Sequence, residues 1–214
     1  MITERQNNAS SSDEPRRDVI LDAADRLLAR YGYTKMTVDD LAKEAGIGKG
    51  TVYLHFKSKK DVVLSHVDRI VRRLIERLQV IAKSNRPAAV KLRQMLVLRV
   101  MFRFDSVQHY TESITEVLRN LRPQLLRNRR EHFAEEATVL VKVLRDGKRR
   151  GEFHQHHAGS MARVLISATN GLLPFSLSTT ELGKREDVEE LVTKTADLLV
   201  SALTLPSAPK RKSG

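Results

Sequence analysis

The stretch Thr37–Lys60, TVDDLAKEAGIGKGTVYLHFKSKK, decides the reading of the chain. Thr37 is a helix N-cap type, and Asp40 stands three residues on, where the acid of a capping box belongs. Val38, Leu41, Ala42 and Ala45 recur at helical spacing and form one narrow apolar face. Gly46 follows at the position where a left-handed residue ends a helix without a Cβ penalty. A second short helix is expected from about Lys49 to Phe56, with Val52 and Phe56 inward. That leaves Lys49, Gly50, Thr51, Tyr53, Leu54 and His55 largely outside. A short helix with such an outer face suits entry into a DNA major groove.

The surrounding run, from Ala23 to Val62, resembles the DNA-binding domain of the TetR family of bacterial transcriptional regulators. The resemblance rests on Gly32-Tyr33 with Thr37, on Leu41-Ala42, and on the turn Ala45-Gly46-Ile47. It continues through Lys49-Gly50-Thr51-Val52-Tyr53, His55-Phe56 and Ser58-Lys59. Gly48 departs from the pattern, since the family often has Ser or Thr there. Glycine remains an acceptable N-cap, at a cost of a few tenths of a kcal/mol. What the resemblance implies is an all-α protein of about nine helices. A three-helix helix-turn-helix domain would occupy residues 15–61, its motif at 37–56, and a helical effector-binding and dimerisation domain residues 62–205. The implied function is a homodimeric repressor of a palindromic operator, released by a small molecule, in the cytoplasm and on the nucleoid when bound to DNA.

In that frame each candidate DNA contact has a chemical role. Lys49 and the amides of Gly50 and Thr51 open a helix, where the backbone dipole favours phosphate. Gly50 carries no Cβ to hold the backbone away from DNA. Tyr53 and Thr37 match positions that contact phosphates in family members. Lys57, Lys59 and Lys60 add charge; between Lys49 and Lys60 there are four lysines and no acid. Thr51, Leu54 and His55 are the candidates for reading base edges, Leu54 against a thymine methyl. Plain packing is the competing role for Tyr53, and a solvated face the competing role for the lysines.

Bulk composition agrees with this frame without deciding it. The chain has 214 residues and a formal net charge of +12, which favours an anionic partner. It has no cysteine, so disulfides and thiolate metal sites are excluded. No apolar run approaches the ~18 residues of a membrane span, and the polar N-terminus has no apolar signal region.

Residues 1–14, rich in Ser, Asn and charge, read as a flexible arm. Arg16 to Tyr31 reads as an amphipathic helix whose stripe is Val19, Ile20, Ala23, Ala24, Leu27 and Leu28, ended by Gly32. Ser58 and Asp61 open a long helix carrying Val63, Val67, Ile70, Val71, Leu74, Leu78 and Ile81. At 1.5 Å per residue it spans roughly 35 Å, enough to join the DNA reader to the body behind it. His66 on it is expected to be an ordinary packed or surface residue. A mostly apolar helix follows Pro87, with Arg99 and Arg103 one turn apart, to be paired with core acids or an anionic ligand. A shorter helix is expected over Tyr110 to Asn120 and a longer one from Pro123 to about Arg149. Two more helices, from Ser160 and from Arg185, close the body, and residues 206–214 form a basic tail, expected to be disordered.

Candidate effector contacts are Arg99, Met101, Phe102, Arg103, Phe133, Asn170 and Phe175, though aromatics in such helices are also ordinary core. By family analogy the last two helices dimerise through Val164, Ala168, Gly171, Leu172, Leu191, Thr195, Leu198 and Ala202. No cofactor and no metal is expected. His154, His156 and His157 form the densest histidine cluster, but in a loop without a spacing that fixes a metal geometry. An enzyme is disfavoured, because no nucleophile elbow, phosphate loop or paired-carboxylate signature is present. Two alternatives stay open: a transcriptional activator, and a non-specific architectural DNA-binding protein supported by charge alone.

Overall fold

The structure, a computed structural model, describes residues 9–110, 113–154, 157–173 and 183–204. The described residues form eight α-helices: α1 Ala9–Lys35, α2 Val38–Glu44, α3 Lys49–His55, α4 Lys59–Lys83, α5 Ala88–Val107, α6 Ser113–Arg149, α7 Ala158–Thr169 and α8 Arg185–Ser201. Two 3₁₀ turns, Gln108–Tyr110 and Asn170–Leu172, close α5 and α7. No strand occurs among the described residues; an isolated bridge joins Phe153 to Thr204.

Helix ends differ from the sequence expectation in two places. Helix α1 starts at Ala9 rather than Arg16, so residues 9–14 of the expected arm are helical, while residues 1–8 and the tail from 205 lie outside the described residues. Helix α6 is continuous through Pro123, where two separate helices were expected. Proline there forfeits one backbone hydrogen bond. Val117 and Leu121 before it and Leu125 after it pack on one core, and that shared burial carries the helix across.

The helices divide into two compact units. The first comprises the described residues up to Arg72 together with Ser106–Arg129, so it reaches beyond the expected 15–61 span into α4 and α6. Its core is the stripe Ile20, Ala23, Ala24, Leu27 and Leu28 of α1, closed by Leu41, Val52, Phe56, Val63, Val117 and Leu121. Val19, expected in that stripe, is 44% exposed; it lies a full residue rotation off the face, and Leu21 is buried in its stead.

His66 and Arg69 are buried on α4, against the expectation that His66 is an ordinary packed or surface residue. Their partners explain it. Arg69 bonds the Asp18 carboxylate at 3.1 Å and that of Asp22 at 2.8 Å, and its guanidinium also faces His66 Nδ1 at 3.4 Å. A guanidinium only donates, so Nδ1 accepts and Nε2 carries the ring proton. Nε2 lies 3.0 Å from the Tyr110 hydroxyl, which donates to Asp25. Burial pushes the Asp25 carboxyl up, but the hydrogen bonds from His66 and Tyr110 outweigh it and hold the group well below its ordinary 3.8. A depressed carboxyl contributes stability that is present above its unfolded value and lost as pH falls below it. The stability gap between the wild type and Asp25→Asn should therefore be widest near neutrality and shrink between about pH 5 and pH 2. Urea midpoints measured across that range check it; a gap that stays constant would remove Asp25 from the pH response.

The second unit comprises Arg73–Asp105 and the described residues from Arg130 on. Leu74, Leu78, Leu92, Met95, Leu96, Leu140, Leu144, Leu165 and Ala196 form its main core. Inside it Arg99 and Arg103, at 0% and 2% exposure, share the carboxylate of Glu136, itself fully buried. Arg99 Nε reaches Glu136 at 2.8 Å, and its terminal nitrogens bond the Thr169 hydroxyl and, at 3.1 Å, Asn170 Oδ1. Of the two fates expected for these arginines, pairing with a core acid is the one observed.

Candidate nucleic-acid interface

The capping box is formed in full: the Asp40 amide donates to Thr37 Oγ1 at 3.1 Å and the Thr37 amide to the Asp40 carboxylate at 2.9 Å. Helix α2 then ends at Ala45, and Gly46 turns the chain with φ +67°, a region that admits glycine at no steric cost. Helix α3 follows with Gly48 as an N-cap that makes no side-chain hydrogen bond. Val52 and Phe56 are buried beneath it, as their spacing requires. The outer face carries Tyr53 at 51% and Leu54 at 83% exposure, with Lys49 and Gly50 also exposed and Thr51 and His55 half-buried. Exposing a leucine this far has no packing benefit, so the face is built for a partner.

Four of the expected contacts are already engaged within the protein. The Thr37 hydroxyl donates to Asp40 at 2.7 Å while accepting the Asp40 amide, so it has no proton left for a phosphate. Lys59 Nζ bonds the carbonyls of Tyr33 at 2.9 Å and Thr34 at 3.3 Å and lies 4.6 Å from the Tyr33 ring centre. That makes it a fastener of the lead-in to α2. Lys60 bonds the Gln124 side-chain amide. Lys49 is paired with Asp39 at 2.9 Å, yet both groups stay exposed. Lys57 remains exposed at the start of the next turn.

Two residues not singled out from the sequence shape this face. Arg17 donates to the His55 carbonyl at 2.9 Å and its guanidinium sits 4.5 Å from the Phe56 ring centre, which fixes the end of α3 from α1. Its partner is 38 residues away, and nothing local signals that contact. Asp39 was legible as an acid on the outer side of α2, but not as the partner of Lys49.

Gly50 has no structural reason to be glycine. A Cβ built there meets nothing within 4 Å, and glycine inside a helix costs about 0.5–1 kcal/mol relative to alanine. Gly50→Ala should thus stabilise the protein by about that amount while weakening DNA binding, because the added methyl stands between backbone and DNA. Thermal unfolding and binding titrations on the same sample test both halves; unchanged DNA affinity would show that α3 is not approached closely at this point.

Residues 20–65 match the family model for bacterial regulatory proteins of the tetR family. The chain is 28% identical over 186 residues to the fatty acid metabolism regulator protein of Bacillus subtilis, covering 86% of this chain and 93% of that one. The chain belongs to the tetR family. It is a DNA-binding transcriptional regulator. The transcriptional regulator EthR of Mycolicibacterium smegmatis is 41% identical over 68 residues, 32% of this chain and 31% of that protein. Among solved structures, a transcriptional regulator from Cytophaga hutchinsonii superposes with a TM-score of 0.71 at 17% identity, covering 88% of this chain and 98% of that one. The regulator FadR from Bacillus subtilis, solved with stearoyl-CoA, gives 0.66 at 23% identity, over 86% and 98%. At such identities these structures speak for the fold.

In the second unit of this tetR-family chain, most of the expected effector contacts are committed elsewhere. Arg99 and Arg103 hold Glu136, Asn170 accepts from Arg99, and Met101 is buried against Val100, Phe104 and Val192. Phe102 lies under the Arg77 guanidinium at 4.7 Å. Phe175 and His156 lie outside the described residues. Phe133 alone of the described candidates lines an open groove of about 670 Å³ between α6 and α7. Its apolar floor is Phe133, Ala137, Val141 and Ile166, and Arg130, Arg145 and Arg163 stand along it. His157 serves as the N-cap of α7, accepting from the Ser160 amide at 3.2 Å. Among the described residues no group of three metal-ligating side chains occurs.

The expected dimer residues lie largely at the surface. Val164 is 54%, Leu191 52% and Leu198 71% exposed; Ala168, Gly171 and Ala202 are exposed too, and Leu172 and Thr195 half-buried. Val164 and Ala168 share one face of α7, and Leu191, Thr195 and Leu198 one face of α8. No helix of the described residues is long and apolar enough to cross a membrane.

Proposed function

We propose that the protein is a homodimeric repressor that binds a palindromic operator through α3 and leaves it on binding a long-chain acyl-CoA. The observation that carries the DNA half is the outer face of α3, where an exposed tyrosine, leucine and lysine have no packing role. Two copies would set their recognition helices in successive major grooves, ~34–36 Å apart. Such a regulator works in the cytoplasm, on the nucleoid when bound to DNA.

The acyl-CoA half is supported by two things. The relative matched along most of its length is a fatty acid metabolism regulator, and a structural neighbour was solved with stearoyl-CoA. The α6–α7 groove of this chain pairs an apolar floor with three arginines, the chemistry that an acyl chain joined to phosphates asks for. Effector binding changes operator affinity only if it favours one conformation over another.

Selection of bound fragments from a random DNA library, at low and moderate salt, tests the first half. A palindromic motif that survives moderate salt is expected, whereas binding without a motif that vanishes as salt rises would mean charge-driven architecture. Stearoyl-CoA titrated into the complex tests the second half. Release is expected with stearoyl-CoA and not with CoA alone; retention in both would remove the acyl-CoA assignment.

A further inference from the structure

The ion pair between Lys49 and Asp39 has a form the fold does not require. Lys49 is the first residue of α3, Asp39 the second of α2, and the two meet at 2.9 Å with 51% and 69% of their side chains exposed. A pair so exposed contributes little to stability. The neighbouring acid, Asp40, is consumed by the capping box with Thr37, so Asp39 is the carboxylate of the first turn of α2 that faces outward. It meets the ammonium through Oδ2, which leaves Oδ1 to accept from another group. The two residues therefore present a fixed donor and a fixed acceptor side by side, at the end of the recognition helix whose first residues meet base edges in helix-turn-helix complexes.

One base pair is complementary to that arrangement. In the major groove a G·C pair displays the guanine O6 and N7 acceptors beside the cytosine N4 donor, and lysine to guanine with aspartate to cytosine N4 are the matching contacts. An A·T pair offers the thymine O4 and methyl where the carboxylate would need a donor on the same side. We propose that Lys49 and Asp39 act together as the reader of one G·C pair in each operator half-site, Lys49 donating to guanine and Asp39 accepting from the cytosine amine. Asp39 is then a specificity-determining residue, and Lys49 does more than neutralise a phosphate.

The test is the operator profile of the full-length protein, selected from the random library, compared with the profiles of Asp39→Ala, Lys49→Ala and Asp39→Glu. In the wild type one position of each half-site should require G·C, with substitutions there costing roughly 5- to 150-fold in affinity. Asp39→Ala and Lys49→Ala should both erase the preference at that same position and leave the others intact. Asp39→Glu keeps the acceptor and should keep the preference. Far-UV dichroism and thermal unfolding confirm that each variant is folded. An unchanged profile in Asp39→Ala overturns the proposal, whether affinity stays level or rises for all sequences alike; the first makes the pair a surface ornament and the second a simple repulsion of phosphates. A position lost in Lys49→Ala but kept in Asp39→Ala also overturns it, since lysine would then read alone.

Discussion

Glu136→Ala should destabilise the protein by about 3–5 kcal/mol, the usual cost of leaving a buried charge unpaired. Glu136 is fully buried, and so are the two guanidiniums that share it. Burial pushes the Glu136 carboxyl up, but Arg103 and Arg99 more than offset this and hold it below its ordinary value, so it is ionised at neutral pH. Removing it strands two positive charges in the core, one stacked 5.3 Å from the Phe133 ring centre. With total stability of domains near 5–15 kcal/mol, a loss of this size is a large part of the whole. Urea unfolding followed by far-UV dichroism measures it directly. A midpoint within error of the wild type would mean that water reaches these arginines and the triad is not structural. Replacing all three residues by apolar ones of matching volume is a separate case, in which little change or a gain is expected. The asymmetry matters for function, because arginines locked on Glu136 are not available to an anionic effector.

That triad also shows where sequence reading runs out. Arg99 and Arg103 were legible as cations in an apolar helix that must find partners. Their partner lay 37 and 33 residues away on α6, among Glu131, Glu135 and Glu136, and only helical phase separates the three. Glu136 shares a face with Val139, Leu140 and Val143, which marks it as the inward acid once that face is drawn. The helix-turn-helix was readable for the opposite reason. Its capping box, its left-handed glycine and its buried Val52 and Phe56 are local features, each spelled within a few residues. The network of Asp25, His66 and Tyr110 spans 44 and 85 residues and left no trace in any single helical pattern. The same holds for the lysines: Lys59 and Lys60 looked like free charge, and their partners come from the lead-in to α2 and from α6.

The double substitution Leu191→Glu with Leu198→Glu should convert the protein from dimer to monomer and weaken operator binding by roughly 10²-fold or more. Both side chains are more than half exposed and one helical heptad apart, so in the single chain they bury little, and folding stability should change by no more than about 0.5 kcal/mol. In a dimer the same two positions, with Val164 and Ala168 of α7, become an apolar seam, and two carboxylates per copy placed there repel their twins. The consequence for DNA follows from linkage. A second half-site bound by a tethered partner meets an effective concentration that raises affinity 10²–10⁴-fold over one site, and a monomer forfeits that factor. Sedimentation gives the mass, thermal unfolding gives the fold, and titration with the selected operator gives the affinity. A wild-type chain that sediments as a monomer, or a double variant that stays dimeric with full operator affinity, would show that α7 and α8 are not the seam. A monomeric variant that still binds a single half-site with the wild-type base preference would separate the two tasks, assigning base reading to α3 alone and operator affinity to the pairing of copies.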